Sequence, residues 1–176
     1  TRGAPFGRTL VFFPGSTIGN FEPEEARAFL RAAARRCGPG GGMLIGVDLK
    51  KNPAVLHAAY NDAAGVTAAF NLNVLERINR ELAGTFDPDR FAHYALYNPQ
   101  LGRIEMHLVS RAEQIASVAG EAIEFREGET IFTESSYKYT LPEFQSLAAA
   151  GGWTVERVWT DEDRLFSVQY LRAGTA

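Results

Sequence analysis

The stretch Leu10-Val11-Phe12-Phe13-Pro14-Gly15-Ser16-Thr17-Ile18-Gly19-Asn20 decides how the rest of the chain is read. Four apolar residues, Leu10 to Phe13, predict a short buried strand that stops at Pro14-Gly15. A small polar turn follows, and Glu22-Pro23-Glu24-Glu25 opens a helix. Strand, glycine-bearing loop and helix make half of a βαβ unit. In open α/β sheets that loop lies at the carboxyl end of a strand, where ligands bind. Gly15 and Gly19 permit backbone approaches that a side chain would forbid, and Asn20 brings a donor and an acceptor to the rim. The same spacing suits a plain strand-to-helix turn, and both readings stand at this level.

Working outward, 176 residues can bury one sizeable core, or one core with a modest appendage. A net charge of −3 argues against a general nucleic-acid or anionic-membrane binder, because such proteins carry a net basic face. One cysteine, Cys37, excludes an intrachain disulfide and fits a reducing compartment. No apolar run approaches the roughly 20 residues a membrane span needs, and no charged-then-apolar leader is present. The expectation is a cytoplasmic protein with no nucleic-acid and no membrane partner. A strand as apolar as Leu10–Phe13 expects neighbours on both sides, and few strands follow to supply them. The chain is therefore expected to be a fragment, or the second half of a larger protein.

The first helix is expected to begin at Pro23 with Glu24 and Glu25 in its first turn, and to end before Gly38-Pro39. The run Gly38 to Gly42 precedes a strand instead of following one, and lacks the Lys-Ser/Thr ending of a phosphate loop, so it reads as a turn. Met43–Asp48 is a second buried strand, parallel to the first through the helical crossover. That places Asp48 at the same sheet edge as the Gly15–Asn20 loop, either as a cap or as a site group.

Helices are expected over Pro53–Ala63 and Val66–Leu82, the second carrying Val66, Ala69, Phe70, Asn73, Val74, Ile78 and Leu82 at helical spacing. Asn71 and Asn73 are unusual there, since asparagine competes with the helix backbone. Phe91–Tyr97 and Arg103–Ser110 alternate as strands around a turn, with further strands over Ile123–Arg126 and Thr130–Tyr139. Thr140, Pro142 and Glu143 mark the start of a helix over Leu141–Ala150. Trp153–Trp159 and Leu165–Leu171 read as a closing antiparallel pair. The chain is α/β at both ends, with an α+β insertion from about Lys51 to Lys138.

On a strand, Glu134 and Ser136 project from one face. A carboxylate acceptor beside a hydroxyl suits a ring with one donor and one acceptor, such as neutral imidazole. An exposed strand face with Lys138 as a solvated partner is the other reading. His57, His93 and His107 lie on different elements with no metal-ligand spacing, so no metal is expected. Cys37 reads as packing and not as a nucleophile, and Ser16 lacks a nucleophile-elbow context. Phe12, Phe13, Phe29, Phe70, Trp153 and Trp159 are expected in the core.

Phe12 to Asn20 (FFPGSTIGN) resembles the strand-four loop of the histidine-specific Nα-methyltransferases of ergothioneine biosynthesis. Tyr60 to Asn71 (YNDAAGVTAAFN), Arg103-Ile104-Glu105-Met106 and Thr133-Glu134-Ser135-Ser136 match the same family in the same order. The resemblance covers nearly the whole chain, but only the carboxyl-terminal part of the family. It implies the carboxyl-terminal half of a Rossmann-like methyltransferase that uses S-adenosyl-L-methionine (SAM), with an inserted α+β substrate-binding domain. Residues 1–50 and 139–176 would belong to the methyltransferase domain, and 51–138 to the substrate-binding domain.

By the same resemblance, Asn20 and Tyr60 hold the backbone groups of the substrate L-histidine, and Glu134 and Ser136 hold its imidazole. Met106 lies in the side-chain pocket, and Gly15, Ser16, Thr17 and Gly19 run near cofactor and substrate. Related enzymes for prenylated tryptophan differ at the positions of Met106 and Glu134, which points to histidine. Most of the SAM site would lie in the missing amino-terminal half of the same protein, so this chain by itself is expected to be inactive. The alternatives are an N-methyltransferase for another amino acid, tryptophan among them, and a degenerate methyltransferase-like binding module.

Overall fold

β1 (Leu10–Phe13) leads through a 3₁₀ turn (Thr17–Asn20) into α1 (Pro23–Cys37) and then β2 (Gly42–Asp48). The computed structural model describes residues 8–174. β1 and β2 pair in parallel, with Leu10 opposite Gly42 and Phe13 opposite Ile45. The chain divides into two units, one built from residues up to Lys51 and from Ser136 onward, the other from Asn52–Ser135.

In the first unit, α4 (Leu141–Ala150), β8 (Trp153–Thr160) and β9 (Phe166–Ala173) complete the framework, and the four-stranded sheet runs β1-β2-β9-β8. β9 is antiparallel to both neighbours, as the sequence pattern of a closing pair implies. Both helices begin where the sequence places them. Glu22 and Glu25 close a capping box on α1, and Thr140 and Glu143 close another on α4. Arg35 and Arg36 occupy the last turn of α1, and Gly38 ends it with a positive φ of 72°, which favours glycine. Leu30, Ile45, Val47, Phe144, Trp153 and Leu171 are buried together in one core. The Trp153 indole N–H donates to the Leu30 carbonyl at 2.8 Å, so burial leaves that polar group satisfied.

β1 departs from the expected buried strand. Leu10 is 57% exposed and Phe12 66% exposed, while Val11 and Phe13 turn inward. The reason is topological: among the described residues β1 pairs only with β2, and α1 covers one of its faces, with the Phe13 and Phe29 rings 4.7 Å apart. β2 is the buried strand of the pair. Gly46 is obligatory in it, because a Cβ there would lie 1.8 Å from the Pro14 carbonyl oxygen.

The second unit contains α2 (Pro53–Tyr60), α3 (Val66–Leu82), β3 (Phe91–Asn98), β4 (Arg103–Ser110), β5 (Gln114–Val118), β6 (Glu121–Phe125) and most of β7 (Thr130–Tyr137). The sheet order is β3-β4-β7, with β5 and β6 forming a separate hairpin. α2 is shorter than expected because Asn61 leaves the helix to pair with the edge of β3. Its amide donates to the Ala95 carbonyl at 2.9 Å and accepts from the Ala95 N–H at 3.0 Å.

The expected apolar face of α3 is a second correction. Val66, Phe70, Val74 and Leu82 are exposed, whereas Asn71 and Leu75 are buried. Ile78 of that set does pack against the cluster around Leu75, but the polar Asn71 occupies the inward stripe, so apolar periodicity picks mostly the outer side. The strand β5 escaped the sequence reading for the same reason: Gln114 is buried and Ile115 is exposed. Trp159, Phe12 and Phe70 also lie at the surface and not in the core, while Trp153 is buried.

Candidate functional site

The loop after β1 is held down on the sheet edge by its own residues. Ser16 adopts a left-handed backbone, φ 54°, unusual without glycine. Its hydroxyl accepts the Asp48 N–H at 2.8 Å, tying the loop to the end of β2. Gly19 is buried against the end of β7: a Cβ there would stand 2.6 Å from the Tyr137 carbonyl oxygen and 3.6 Å from Ser136 Oγ. A side chain at position 19 would therefore push the loop off Ser136. Asn20 is exposed at the end of the 3₁₀ turn. Just beyond it, the Tyr137 hydroxyl donates to Glu22 Oε2 at 2.6 Å.

Asp48, open between two readings from sequence, has a defined role. Its Oδ1 accepts from Lys51 Nζ at 2.6 Å and its Oδ2 pairs with Lys138 Nζ at 2.8 Å. Lys138 is 2% exposed and its ammonium also donates to Ser136 Oγ at 2.8 Å. This corrects the alternative in which Lys138 is a solvated partner on an exposed strand face. Ser135 and Ser136 are buried as well. In the first unit, then, Ser16, Gly19, Asp48, Ser136 and Lys138 form one connected polar cluster.

In the second unit, Met106 is buried on β4 with Leu56, Ala95 and Ile104, and Tyr60 and Tyr97 pack against that group. Glu134, half-buried on β7, follows Thr133, whose hydroxyl donates to the Met106 carbonyl at 3.0 Å. Thus Tyr60 and Met106 share one apolar cluster, and the Glu134 segment is bonded to the Met106 backbone. Arg103 donates to Glu105 Oε1 at 2.9 Å and Asn98 to the same oxygen at 3.1 Å. Burial alone would raise the Glu105 carboxyl; these hydrogen bonds outweigh it and hold the group below its usual range.

Two residues that the sequence left unassigned position Tyr60. His93 Nε2 donates to the Tyr60 carbonyl at 2.7 Å, which fixes the hydrogen on that nitrogen. Nδ1 of the same ring then accepts from the Asn71 amide at 3.0 Å, and Asn71 also donates to the His107 carbonyl at 3.1 Å. The unusual asparagine within a helix was the available signal. Both ring nitrogens of His93 are thereby satisfied. Cys37 is half-buried with its Sγ 3.7 Å from the Gly42 carbonyl, and burial pushes its thiol up, away from the thiolate a nucleophile needs.

A parallel strand–loop–helix–strand unit with a glycine loop at the strand's carboxyl end is the arrangement of an α/β small-molecule enzyme. Residues 2–173 match the family of histidine-specific, SAM-dependent methyltransferases, and the chain belongs to that family. It is 45% identical to the histidine N-alpha-methyltransferase of Mycolicibacterium smegmatis over 157 residues, 88% of this chain and 49% of that protein. Similarity to the enzyme of the same name from Mycobacterium tuberculosis is 44% over 158 residues, 89% of this chain and 49% of that protein. The L-tryptophan methyltransferase of Psilocybe serbica is 31% identical over 167 residues, 93% of this chain and 47% of that protein. The chain spans about half the length of these relatives.

Proposed function

We propose that the protein of which this chain forms part methylates the α-amino group of L-histidine with SAM, to the trimethylated betaine hercynine, in ergothioneine biosynthesis. The observation that carries the reading is the placement of Glu134 and Ser136 on one face of β7, an acceptor and a hydroxyl side by side. The family match and the presence of both Met106 and Glu134 support histidine over tryptophan.

SAM, when bound, supplies an electrophilic methyl group on sulfur. The loop fits a site for it in one respect: Gly19 is filled by the Tyr137 backbone, but Gly15 has only Thr17 Oγ1, at 3.5 Å, near its missing Cβ. The loop thus closes on its inner side and stays open on the outer one.

The residues of this chain act by positioning. Asn20 and Tyr60 hold the amino acid's backbone groups, Glu134 accepts from the ring N–H, Ser136 meets the second ring nitrogen, and Met106 lines the side-chain pocket. Gly15, Ser16, Thr17 and Gly19 run near both reactants. Holding a neutral amine in line with the methyl group accounts for most of the acceleration, since charge is dispersed in this transfer. A ring-binding pair of this kind rejects analogues lacking the matching groups by about 10⁴-fold or more. Residues 1–50 and 139–176 serve as part of the methyltransferase domain and 51–138 as part of the substrate-binding domain. The chain from Thr1 to Ala176 is inactive by itself, and the full-length protein works in the cytoplasm.

The test is mass spectrometry of histidine and a panel of amino acids incubated with SAM and the full-length gene product. Stepwise gain of methyl groups on histidine alone is the expected result. Methylation of tryptophan instead overturns the substrate, and no methylation by a folded full-length protein supports the binding-module alternative.

A further inference from the structure

We infer that Arg103 is a positioning residue: its guanidinium bridges the carboxylates of Glu105 and Glu134 and so holds Glu134 toward the substrate ring. The inference rests on the proposed role of Glu134 in holding an imidazole.

β4 and β7 are neighbours in their sheet, and where they meet the Ser110 N–H donates to the Glu129 carbonyl at 2.8 Å. Strands running antiparallel from that bond set Met106 opposite Thr133, His107 opposite Phe132 and Glu105 opposite Glu134. Two contacts fit this register. The Thr133 hydroxyl donates to the Met106 carbonyl at 3.0 Å, and the His107 and Phe132 rings lie 5.4 Å apart. Glu105 and Glu134 thus leave one face of the sheet as a cross-strand pair. Like charges so placed, with β-carbons about 5 Å apart, repel each other, and a cation between them reverses the sign.

Arg103 is the cation in reach. No other lysine or arginine occurs in β3, β4 or β7. It leaves β4 from the same face as Glu105, since Ile104 and Met106 fill the core on the opposite one. Its Nε donates to Glu105 Oε1 at 2.9 Å, and its guanidinium carbon lies 5.6 Å from the centre of the Phe132 ring. Phe132 stands opposite His107, one row beyond the two glutamates, so the guanidinium passes over that pair to reach it. The side chains of Arg103 and Glu105 are only 14% and 15% exposed, and salt screens such a pair little. A guanidinium carries donors on both Nη nitrogens besides Nε, and a carboxylate has about four acceptor positions. Glu134 can therefore accept from Arg103 and from a ring N–H at once. When Arg103 is replaced, Asn98 continues to donate to Glu105 Oε1, at 3.1 Å.

The experiment measures histidine kinetics in the full-length protein with saturating SAM. Arg103→Met raises KM for histidine at least about tenfold with kcat within about threefold, while SAM affinity by calorimetry is unchanged. Arg103→Lys, which keeps the charge without the planar fork, recovers part of that loss. In a Glu134→Gln background Arg103→Met changes KM by less than about threefold, because no carboxylate remains there to hold. Should Arg103→Met not fold, it is combined with Glu105→Gln, which removes one of the two opposed charges, and compared with Glu105→Gln alone. A folded Arg103→Met enzyme, single or combined, whose KM for histidine is unchanged overturns the inference while the histidine assignment stands. An equal rise in KM with and without the Glu134 carboxylate overturns it as well. Failure of the unsubstituted enzyme to methylate histidine overturns the assignment itself, and the inference with it.

Discussion

The amide nitrogen of Asn71, buried within α3, lies 3.0 Å from Nδ1 of His93 on β3, and the far nitrogen of that ring holds the Tyr60 carbonyl at 2.7 Å. One helix residue thus orients a histidine, and the histidine orients the end of α2. Replacing Asn71 with Leu keeps the volume and removes both donations, leaving a buried ring nitrogen and the His107 carbonyl without this partner. The expected cost is about 1–3 kcal/mol of unfolding free energy, read as a lower urea midpoint with unchanged slope. In the full-length enzyme the same variant raises KM for the substrate amino acid more than it lowers kcat. An unchanged midpoint would show that the chain Asn71–His93–Tyr60 carries no stability.

Gly46→Ala is expected to be far more damaging than its single added methyl implies. The new Cβ would lie 1.8 Å from the Pro14 carbonyl oxygen and 2.8 Å from the Phe166 ring, so either β1 or β9 must shift from β2. A loss of about 3 kcal/mol is expected, seen as a fall in Tm or in soluble yield. Gly15→Ala is the control, since its nearest neighbour stands at an ordinary contact distance, and it should fold normally.

Glu134→Ala in the full-length protein should raise KM for histidine about 100-fold or more while leaving SAM affinity unaltered by calorimetry, as expected for loss of the acceptor of the ring N–H. Glu134→Gln, which can offer an amide oxygen, should recover part of the loss. A parallel fall in SAM affinity would count against a role confined to the ring.

The Asp62 carboxylate accepts the N–H groups of Val66 and Thr67 at the start of α3, at 2.9 and 2.8 Å. Hydrogen bonds from Thr67, with that of Val66, hold it down to about 2, below its ordinary value of 3.8. A depressed carboxylate stabilises the folded state fully above the unfolded pKa. That contribution fades as pH falls from about 4 toward 2. A carboxyl titration by NMR should give a midpoint near 2 for Asp62, and Asp62→Asn should flatten the acid limb of stability between those values. A midpoint near 4 would mean that the helix start is not capped this way in solution.

At the start of α4, Thr140→Ala removes the side-chain acceptor for the Glu143 N–H, and the expected loss is about 1 kcal/mol by chemical denaturation. Thr140→Ser should restore it. A neutral Thr140→Ala would assign the whole cap to Glu143.

The framework was legible wherever local chemistry and periodicity agree. Pro23, Pro53, Pro142, Gly38 and the two capping boxes mark helix ends by rules that need no tertiary context, and the helices over Val66–Leu82 and Leu141–Ala150 begin and end where the sequence places them. What escaped was decided by buried polar groups. Asn71 turns an apolar-looking stripe of α3 outward, Gln114 hides the inward side of β5, and Lys138 reads as a surface charge until its bonds to Asp48 and Ser136 are seen. Each is paired with a group distant in sequence, and such partners leave no local signature. The spacing of Glu134 and Ser136 was visible from sequence alone, while the hydrogen bond that Lys138 donates to Ser136 was not.

Among the described residues the side of β1 away from β2 pairs with no strand, and this bears on how the polypeptide behaves in a tube. Its backbone amides opposite β2 form a ready template, and Leu10 and Phe12 give that edge a sticky apolar rim. Prepared on its own at high concentration, the chain should scatter light increasingly with time, and a lysine at position 12 should clear the solution. The strand that opens the Gly15–Asn20 loop is thus a point of self-association as well.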